Sequence, residues 1–348
     1  MRGPWAVLIG LILAGNVAAQ RRLVLIDQDG SGPGGTNQMS MMVLLQSPNV
    51  DVLGITMVTG DAWRDEEVPH TLRMLELIGR SEVPVVPGAV FPLVRTEAET
   101  RLTFPLHGTP VWLGAWGDHS AATPEGSPTT RPIDEDAAHF LVRQVRAHPG
   151  EVTIYAGGPL TNIALAISIE PRFAEMTRGI VMMGGSLNPQ TDDPEFATSP
   201  RHEFNFWFDP EAAHIVLRAA WPHIEVTTVD VSIKAMFTDQ MLAEISKSPH
   251  PAARYIAKYS ANRSYLWDEI AACAWLDPTI ITRRRELYMD VDLSHGPSYG
   301  FTLSWLDKIR PQTEVRMVAA QVDLDLAKFT RVFVSLMSAP TRGSARQR

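Results

Sequence analysis

The stretch LVLIDQDGSGPGGTNQMSMMVLL, residues 23–45, constrains the chain more than any other. Its apolar run, residues 23–26, shows no polar alternation, as expected of a strand buried on both faces. It hands over to two acids, Asp27 and Asp29. A glycine-rich turn, residues 30–35, then leads through Thr36, Asn37 and Gln38 into a Met- and Leu-rich helical pattern. Strand, acidic loop and helix form the opening unit of an open α/β sheet, where ligands bind beyond the carboxyl ends of the strands. Two carboxylates one residue apart at such a point suit a hard cation with oxygen ligands. The stretch alone reads equally well as an acidic turn.

The same rhythm runs down the chain. Apolar runs at 50–58, 83–86, 152–155, 179–183, 224–230 and 314–322 read as strands. Helical patterns fall at 39–46, 66–79, 134–148, from 163, and at 209–220, 238–246, 252–272 and 324–336. Residues 90–132, rich in Pro, Gly and Thr, read as an irregular excursion, and 189–201 as a loop. Strands alternating with helices predict an α/β fold: one domain with an open, mostly parallel sheet flanked by helices and a Rossmann-like core. The predicted strand ends carry Asp27 and Asp29, Gly60 and Asp61, the segment 157–162, Gly184 and Gly185, and Asp230. In such a fold these converge on one crevice.

Composition excludes some functions. The formal net charge of -8, with no basic patch, argues against nucleic acid as a partner. The single cysteine, Cys273, rules out an internal disulfide and a cysteine-based metal cluster. Residues 1–20 have a basic start, an apolar run over 5–14 and Val17-Ala18-Ala19 before Gln20, the pattern of a cleavable signal peptide. The expectation is an exported protein, secreted or periplasmic, whose domain spans 21–340 and whose tail, 341–348, is disordered. No later segment is long and apolar enough to span a membrane, so none is expected in the mature form.

Seven pieces together resemble the inosine–uridine preferring nucleoside hydrolase family. They are LIDQD (25–29), SPNVDVLGIT (47–56), TLRMLELIGRSEVPVVPGA (71–89), AGGPLTNIALA (156–166), IVMMGG (180–185), EFNFWFDPEAAHIV (203–216) and WDEIAACAWLDP (267–278). They follow the family's order along nearly the whole chain. The resemblance implies hydrolysis of ribonucleosides to ribose and free base, with one Ca²⁺ per subunit and a metal-bound water activated by Asp29. It implies Asp29 as calcium ligand and base, Asp27 as support of the metal site, Thr161 as a backbone carbonyl ligand and Asp268 as a carboxylate ligand. Glu203 and Asn205 are implied to grip the ribose hydroxyls, Asn205 close to the developing charge on the sugar, and Met183 to line the pocket. It also implies a small-molecule nucleoside or riboside as substrate and a homo-oligomer, a dimer or a tetramer.

Two departures stand out. The family motif has adjacent acids where this chain has Thr36 and Asn37, or Asn37 and Gln38 in the neighbouring register. Asn37 offers one neutral oxygen in place of a bidentate carboxylate, which weakens a calcium site, and Thr36 can still bond a sugar hydroxyl. A nucleoside-binding pseudoenzyme is the alternative this departure suggests. The residue before Asp268 is Trp267, where many members have a histidine that protonates the leaving base. Tryptophan cannot donate that proton, but it can stack on the base. His107 and His202 are other candidate acids or base contacts, with plain loop histidines as the simpler reading. Trp63, Trp112, Trp116 and Trp207 are candidates for the base pocket or for core packing.

Overall fold

The computed structural model describes residues 21–107, 112–117, 120–260 and 264–341, with the side chains of 103–107 outside that description. The leader and most of the tail read from the sequence lie outside the described residues. The strands are β1 (Arg22–Gln28), β2 (Val50–Met57), β3 (Val85–Pro87), β4 (Val152–Ala156), β5 (Gly179–Met183), β6 (Ile224–Thr227), β7 (Ile281–Val291), β8 (Thr302–Trp305) and β9 (Arg316–Leu324). They form one sheet in the order β3-β2-β1-β4-β5-β6-β9-β7-β8. Every pair from β3 to β9 is parallel, and β7 runs antiparallel to both β9 and β8. This is the α/β architecture expected of the sequence.

The chain lays β2 and β3 on one side of β1, then returns to place β4 on the other. That reversal opens a crevice beyond the carboxyl ends of β1 and β4, the point where such sheets bind ligands. Alternation along β1 sets the two layers. Val24 and Ile26 pack with the helices Thr36–Gln46, Trp267–Leu276 and Leu326–Met337. Leu25 faces the opposite layer with Phe140, Ile163 and Val216. The helix Thr36–Gln46 is buried on nearly every side, which explains its unbroken run of Met, Val and Leu. No helix among the described residues is long and apolar enough to cross a membrane.

Four local readings are corrected. The excursion 90–132 contains a helix, Glu97–His107, opened by a reciprocal cap in which the Thr96 hydroxyl accepts from Glu99 N–H and the Glu99 carboxylate accepts from Thr96 N–H. The loop 189–201 holds the short helix Pro194–Thr198. The expected helix 252–272 is two helices, Pro251–Tyr259 and Trp267–Leu276, separated by a break in which Leu266 N–H bonds Ala235 O. β7 and β8 were hidden in the sequence because β7 carries Arg283, Arg284 and Arg285 in its first half, where β8 does not pair with it.

One buried polar chain joins the parallel part of the sheet to that edge. Thr227 Oγ1 donates to Gln321 Oε1, Gln321 Nε2 donates to Glu225 Oε1, and Arg284 Nε donates to the same oxygen, all within 2.7–2.8 Å. Burial opposes the charge on Glu225, but bonds from His223, Gln321 and Arg284 overcome it and hold its pKa down at about 2. A depressed carboxylate pKa contributes stability that is present above the unfolded value and lost as pH falls toward the folded one. Between pH 6 and pH 3 the wild-type chain should therefore lose about 2 kcal/mol more unfolding free energy than Glu225→Gln, measured by urea melts. Parallel pH profiles for the two proteins would refute this.

Candidate active site

The ends of β1 and β2 set the floor of the crevice. Asp27 stands opposite Thr56 in the β1–β2 register and is fully buried. Its Oδ1 accepts from Thr56 Oγ1 and, at 2.8 Å, from Asn162 Nδ2. Two residues on, Asp29 is held from three sides. Asn37 Nδ2 donates to its Oδ1 at 2.6 Å, and the Asp61 N–H donates to its Oδ2 at 3.0 Å. Glycine is required around it: a Cβ on Gly60 would fall 2.2 Å from Asp29 Oδ2, and one on Gly158 would fall 2.9 Å from Asp29 Cγ. Gln28, between the acids, donates to Asp268 Oδ2 at 3.2 Å and to Ser40 Oγ at 2.9 Å, tying β1 to the two helices that cover it.

The glycine-rich loop is shaped by the same need for close approach. Gly34 has φ +75°, and a Cβ there would lie 2.5 Å from the Tyr259 carbonyl carbon. The loop sets the helix Thr36–Gln46 so that Thr36 and Asn37 reach the cavity wall, while Gln38 turns inward to bond Gly34 N–H and Tyr255. Of the two registers open in the sequence, Thr36 and Asn37 are the pair at the site.

The far wall comes from the segment after β5. Glu203 caps the short helix Phe204–Phe208, accepting from the N–H groups of Asn205, Phe206 and Gly185 at 2.8–3.0 Å. Asn205 Nδ2 donates to the carbonyls of Met183 (3.1 Å) and Gly157 (3.3 Å). The break at 260–266 places Trp267 and Asp268 in the first turn of the next helix, and Tyr155 hydroxyl fixes the Asp268 carbonyl at 2.8 Å. Trp267 meets Phe196 edge-on, with centroids 5.8 Å apart. Together these groups enclose about 430 Å³, in the size range of small-molecule sites.

The electrostatics are lopsided. Asp29, Asp61, Glu195, Glu203 and Asp268 all line the cavity, and no Lys, Arg or His does among the described residues. Burial, reinforced by Asp61, Glu67 and Asp268, pushes Asp29 well above the ordinary carboxylate range. Burial and then Asp61 do the same to Asp268. Asp27 is raised to about 7 and Asp61 to about 6, burial being the largest cause in each. Uncompensated buried carboxylates call for a cation or for protons.

The model of the inosine–uridine preferring nucleoside hydrolase family matches residues 24–331. The chain belongs to this family. It is 32% identical over 244 residues to the probable uridine nucleosidase 1 of Oryza sativa subsp. japonica, covering 70% of this chain and 69% of that one. It is 32% identical over 235 residues to the pyrimidine-specific ribonucleoside hydrolase RihA of Citrobacter koseri, covering 68% and 69%. Among solved structures, a plant nucleoside hydrolase, PpNRh1, superposes with a TM-score of 0.73 at 25% identity, over 92% of this chain and 99% of that one. The purine-preferring ribonucleoside hydrolase of Gardnerella vaginalis shares the fold, with a TM-score of 0.74 at 21% identity over 91% and 98% of the two chains. As a nucleoside hydrolase, the protein cleaves the N-glycosidic bond of ribonucleosides.

The family is metal-dependent, and the donor chemistry here fits a hard cation. Oxygens dominate the floor, and the glycines around Asp29 let the backbone close on its buried carboxylate. As the side chains lie, no group of three His, Cys, Asp or Glu closes around a metal position among the described residues. The Asn37 amide lies against Asp29, and turning it over would present oxygen in place of nitrogen.

Of the residues read from the sequence, Asp29, Thr36, Asn37, Met183, Glu203, Asn205, Trp267 and Asp268 meet at this one cavity. Two residues expected at the metal site do not line it. Asp27, expected to support the metal site, is buried off the wall, its Oδ1 accepting from Thr56 and Asn162 and its Oδ2 without a partner. The Thr161 hydroxyl donates to Asp209 Oδ2 at 2.6 Å, and the residue, whose backbone carbonyl was the expected ligand, is buried and does not line the cavity. His107 ends its helix, and its side chain lies outside the described residues. His202 is buried against Trp207 and Phe301, 3.5 Å from Glu195, a packed histidine off the cavity wall. Trp112 lines the cavity, whereas Trp116 and Trp207 pack with Phe208 and Trp63 lies against that cluster. Sequence reasoning missed Glu195 and Phe196, hidden in a stretch read as loop. It noted Asp61 only as one strand end among several.

Because Asp27 is raised from about 4 in the unfolded chain to about 7 here, it contributes stability that is full at low pH and lost as pH rises through 7. In chelator, wild type should lose about 2 kcal/mol more than Asp27→Asn between pH 5 and pH 8, by denaturant melts. Equal slopes would exclude Asp27 as the titrating group.

Proposed function

We propose that the cavity binds a ribonucleoside with its ribose against Asp29, Glu203 and Asn205 and its base against Trp267 and Phe196, and that Asp29 takes the proton from the attacking water. The observation that carries this reading is the fixing of Asp29 by Asn37, the Asp61 N–H and two close glycines in a cavity walled by polar groups on one side and aromatic rings on the other. Calcium, which we assign to the oxygens of Asp29, Asp268 and Asn37, would when bound orient the water and lower its pKa.

The water oxygen bonds to the anomeric carbon as the bond to the base nitrogen breaks. The positive charge that builds on the sugar is met by the acidic floor and by Asn205, whose Nδ2 is committed to two carbonyls and whose Oδ1 is therefore the free end of the amide. The base leaves with the electron pair. Trp267 cannot supply its proton, so solvent does, and stacking on the indole holds the departing ring. The relatives named for uridine, pyrimidine and purine substrates support a nucleoside without fixing the base. The apolar leader supports export, and the family resemblance supports a homo-oligomer.

Purified protein should release reducing sugar from a panel of purine and pyrimidine ribonucleosides, and chelation should abolish release. Asp29→Asn should lower kcat by at least about a hundredfold at an unchanged melting temperature. Turnover near wild type in that variant would remove Asp29 from the role. Secreted protein should begin at Gln20 or Arg21 by N-terminal sequencing, and an intact Met1 on exported material would refute the leader.

A further inference from the structure

Arg95 lies between β3 and the helix Glu97–His107 and is buried, with 2% of its surface exposed. Its guanidinium is held between two rings, 4.6 Å from the centroid of Trp207 and 4.2 Å from that of Tyr299. Nη2 donates to Tyr299 O at 3.1 Å, while Nε and Nη1 have no hydrogen-bond partner among the described residues. Burial lowers its pKa to about 10, which leaves it charged at neutral pH. A buried cation so poorly bonded is costly, and the faces of the two rings offset that cost. Tyr299 is anchored in turn. Its hydroxyl donates to Glu211 Oε1 at 2.7 Å, and Gly300, at φ +88°, lets the chain pass so close that a Cβ there would lie 2.9 Å from Trp207 Cα.

Trp207 belongs to the helix Phe204–Phe208, which is capped by Glu203 and carries Phe204 and Asn205 to the cavity. Its 5 residues are too few to hold a helix unaided, so its setting comes from its surroundings. Glu203 and Asn205 fix it on the cavity side. Trp207, two residues after Asn205, lies on the opposite side of the turn, and there Arg95 holds it. A second tie runs beside the first: Leu93 N–H donates to Asp209 Oδ2 at 2.9 Å, so the segment 93–95 grips both the helix and the residue that ends it. We propose that Arg95 is a positioning residue for the ribose end of the site, clamping Trp207 against Tyr299 so that the helix Phe204–Phe208 presents Glu203 and Asn205 in one orientation. The clamp needs a group that is both planar and charged, which guanidinium is and ammonium is not.

This inference rests on the ribose contacts proposed for Glu203 and Asn205, and it is tested by hydrogen exchange as well as by turnover. Arg95→Lys keeps the charge and loses the plane, and Arg95→Gln keeps a smaller plane and loses the charge, so either serves where the other does not fold. Backbone exchange over 203–208 should quicken at least about tenfold in these variants, while β1 and β4 exchange as in wild type. With ribonucleosides, KM should rise and kcat/KM should fall at least about tenfold. Adding Asn205→Ala to Arg95→Lys should cost no more than about twofold beyond Asn205→Ala alone, since both changes remove the same contact. Wild-type exchange over 203–208 in both variants, or losses that multiply in the double variant, would overturn the clamp. A kinetically silent Asn205→Ala together with quickened exchange in Arg95→Lys would sink the proposed ribose contacts and leave the clamp standing.

Discussion

Everything in the site depends on crowding negative charge where a strand ends. Five carboxylates face one cavity without a basic side chain among the described residues. Such a group costs free energy in the empty protein and becomes an asset only when positive charge arrives. In the proposed reaction two positive charges would meet them, a bound cation and the transient charge on the sugar. The rest of the molecule can be understood as the means of holding those acids together against their repulsion.

The means are mostly backbone and amide groups rather than counter-charges. Asn37, the Asp61 N–H, Gln28 and the backbone N–H groups received by Glu203 all stabilise carboxylates by hydrogen bonding while leaving net charge in place. Arginines, by contrast, line no part of the cavity among the described residues. Arg284 neutralises Glu225 far along the sheet, and Arg218 pairs with Asp290 at 2.8 Å near the antiparallel edge. This segregation lets the stabilising ion pairs work without quenching the field at the crevice.

Most of the fold was legible because β1, β2, β4 and β5 are apolar runs of the right length, bounded by glycine or acid. What escaped did so for identifiable reasons. β7 hides behind three arginines because its first half, which β8 does not pair, leaves those side chains partly or fully exposed. The helix Glu97–His107 was announced by Thr96 and Glu99, but its weak apolar face was outweighed by the surrounding Pro and Gly. The split at 260–266 leaves no proline or glycine in the sequence, and it arises from pairing with the segment after β6. The site residues that carried motif letters were found. Glu195 and Phe196 carry none, and their place at the cavity is decided by how the loop after β5 folds back.

Gln28 has a consequence for the life of the chain. Its amide spans from β1 to Asp268, two segments separated by 240 positions. Neither half of the crevice is complete without the other, and the closing partner follows β1 to β6 in the chain. A growing or truncated chain therefore has no finished pocket in which to trap an ion or a nucleoside. The pocket therefore forms only when β1 and the helix Trp267–Leu276 have packed together, so binding competence reports that long-range joining.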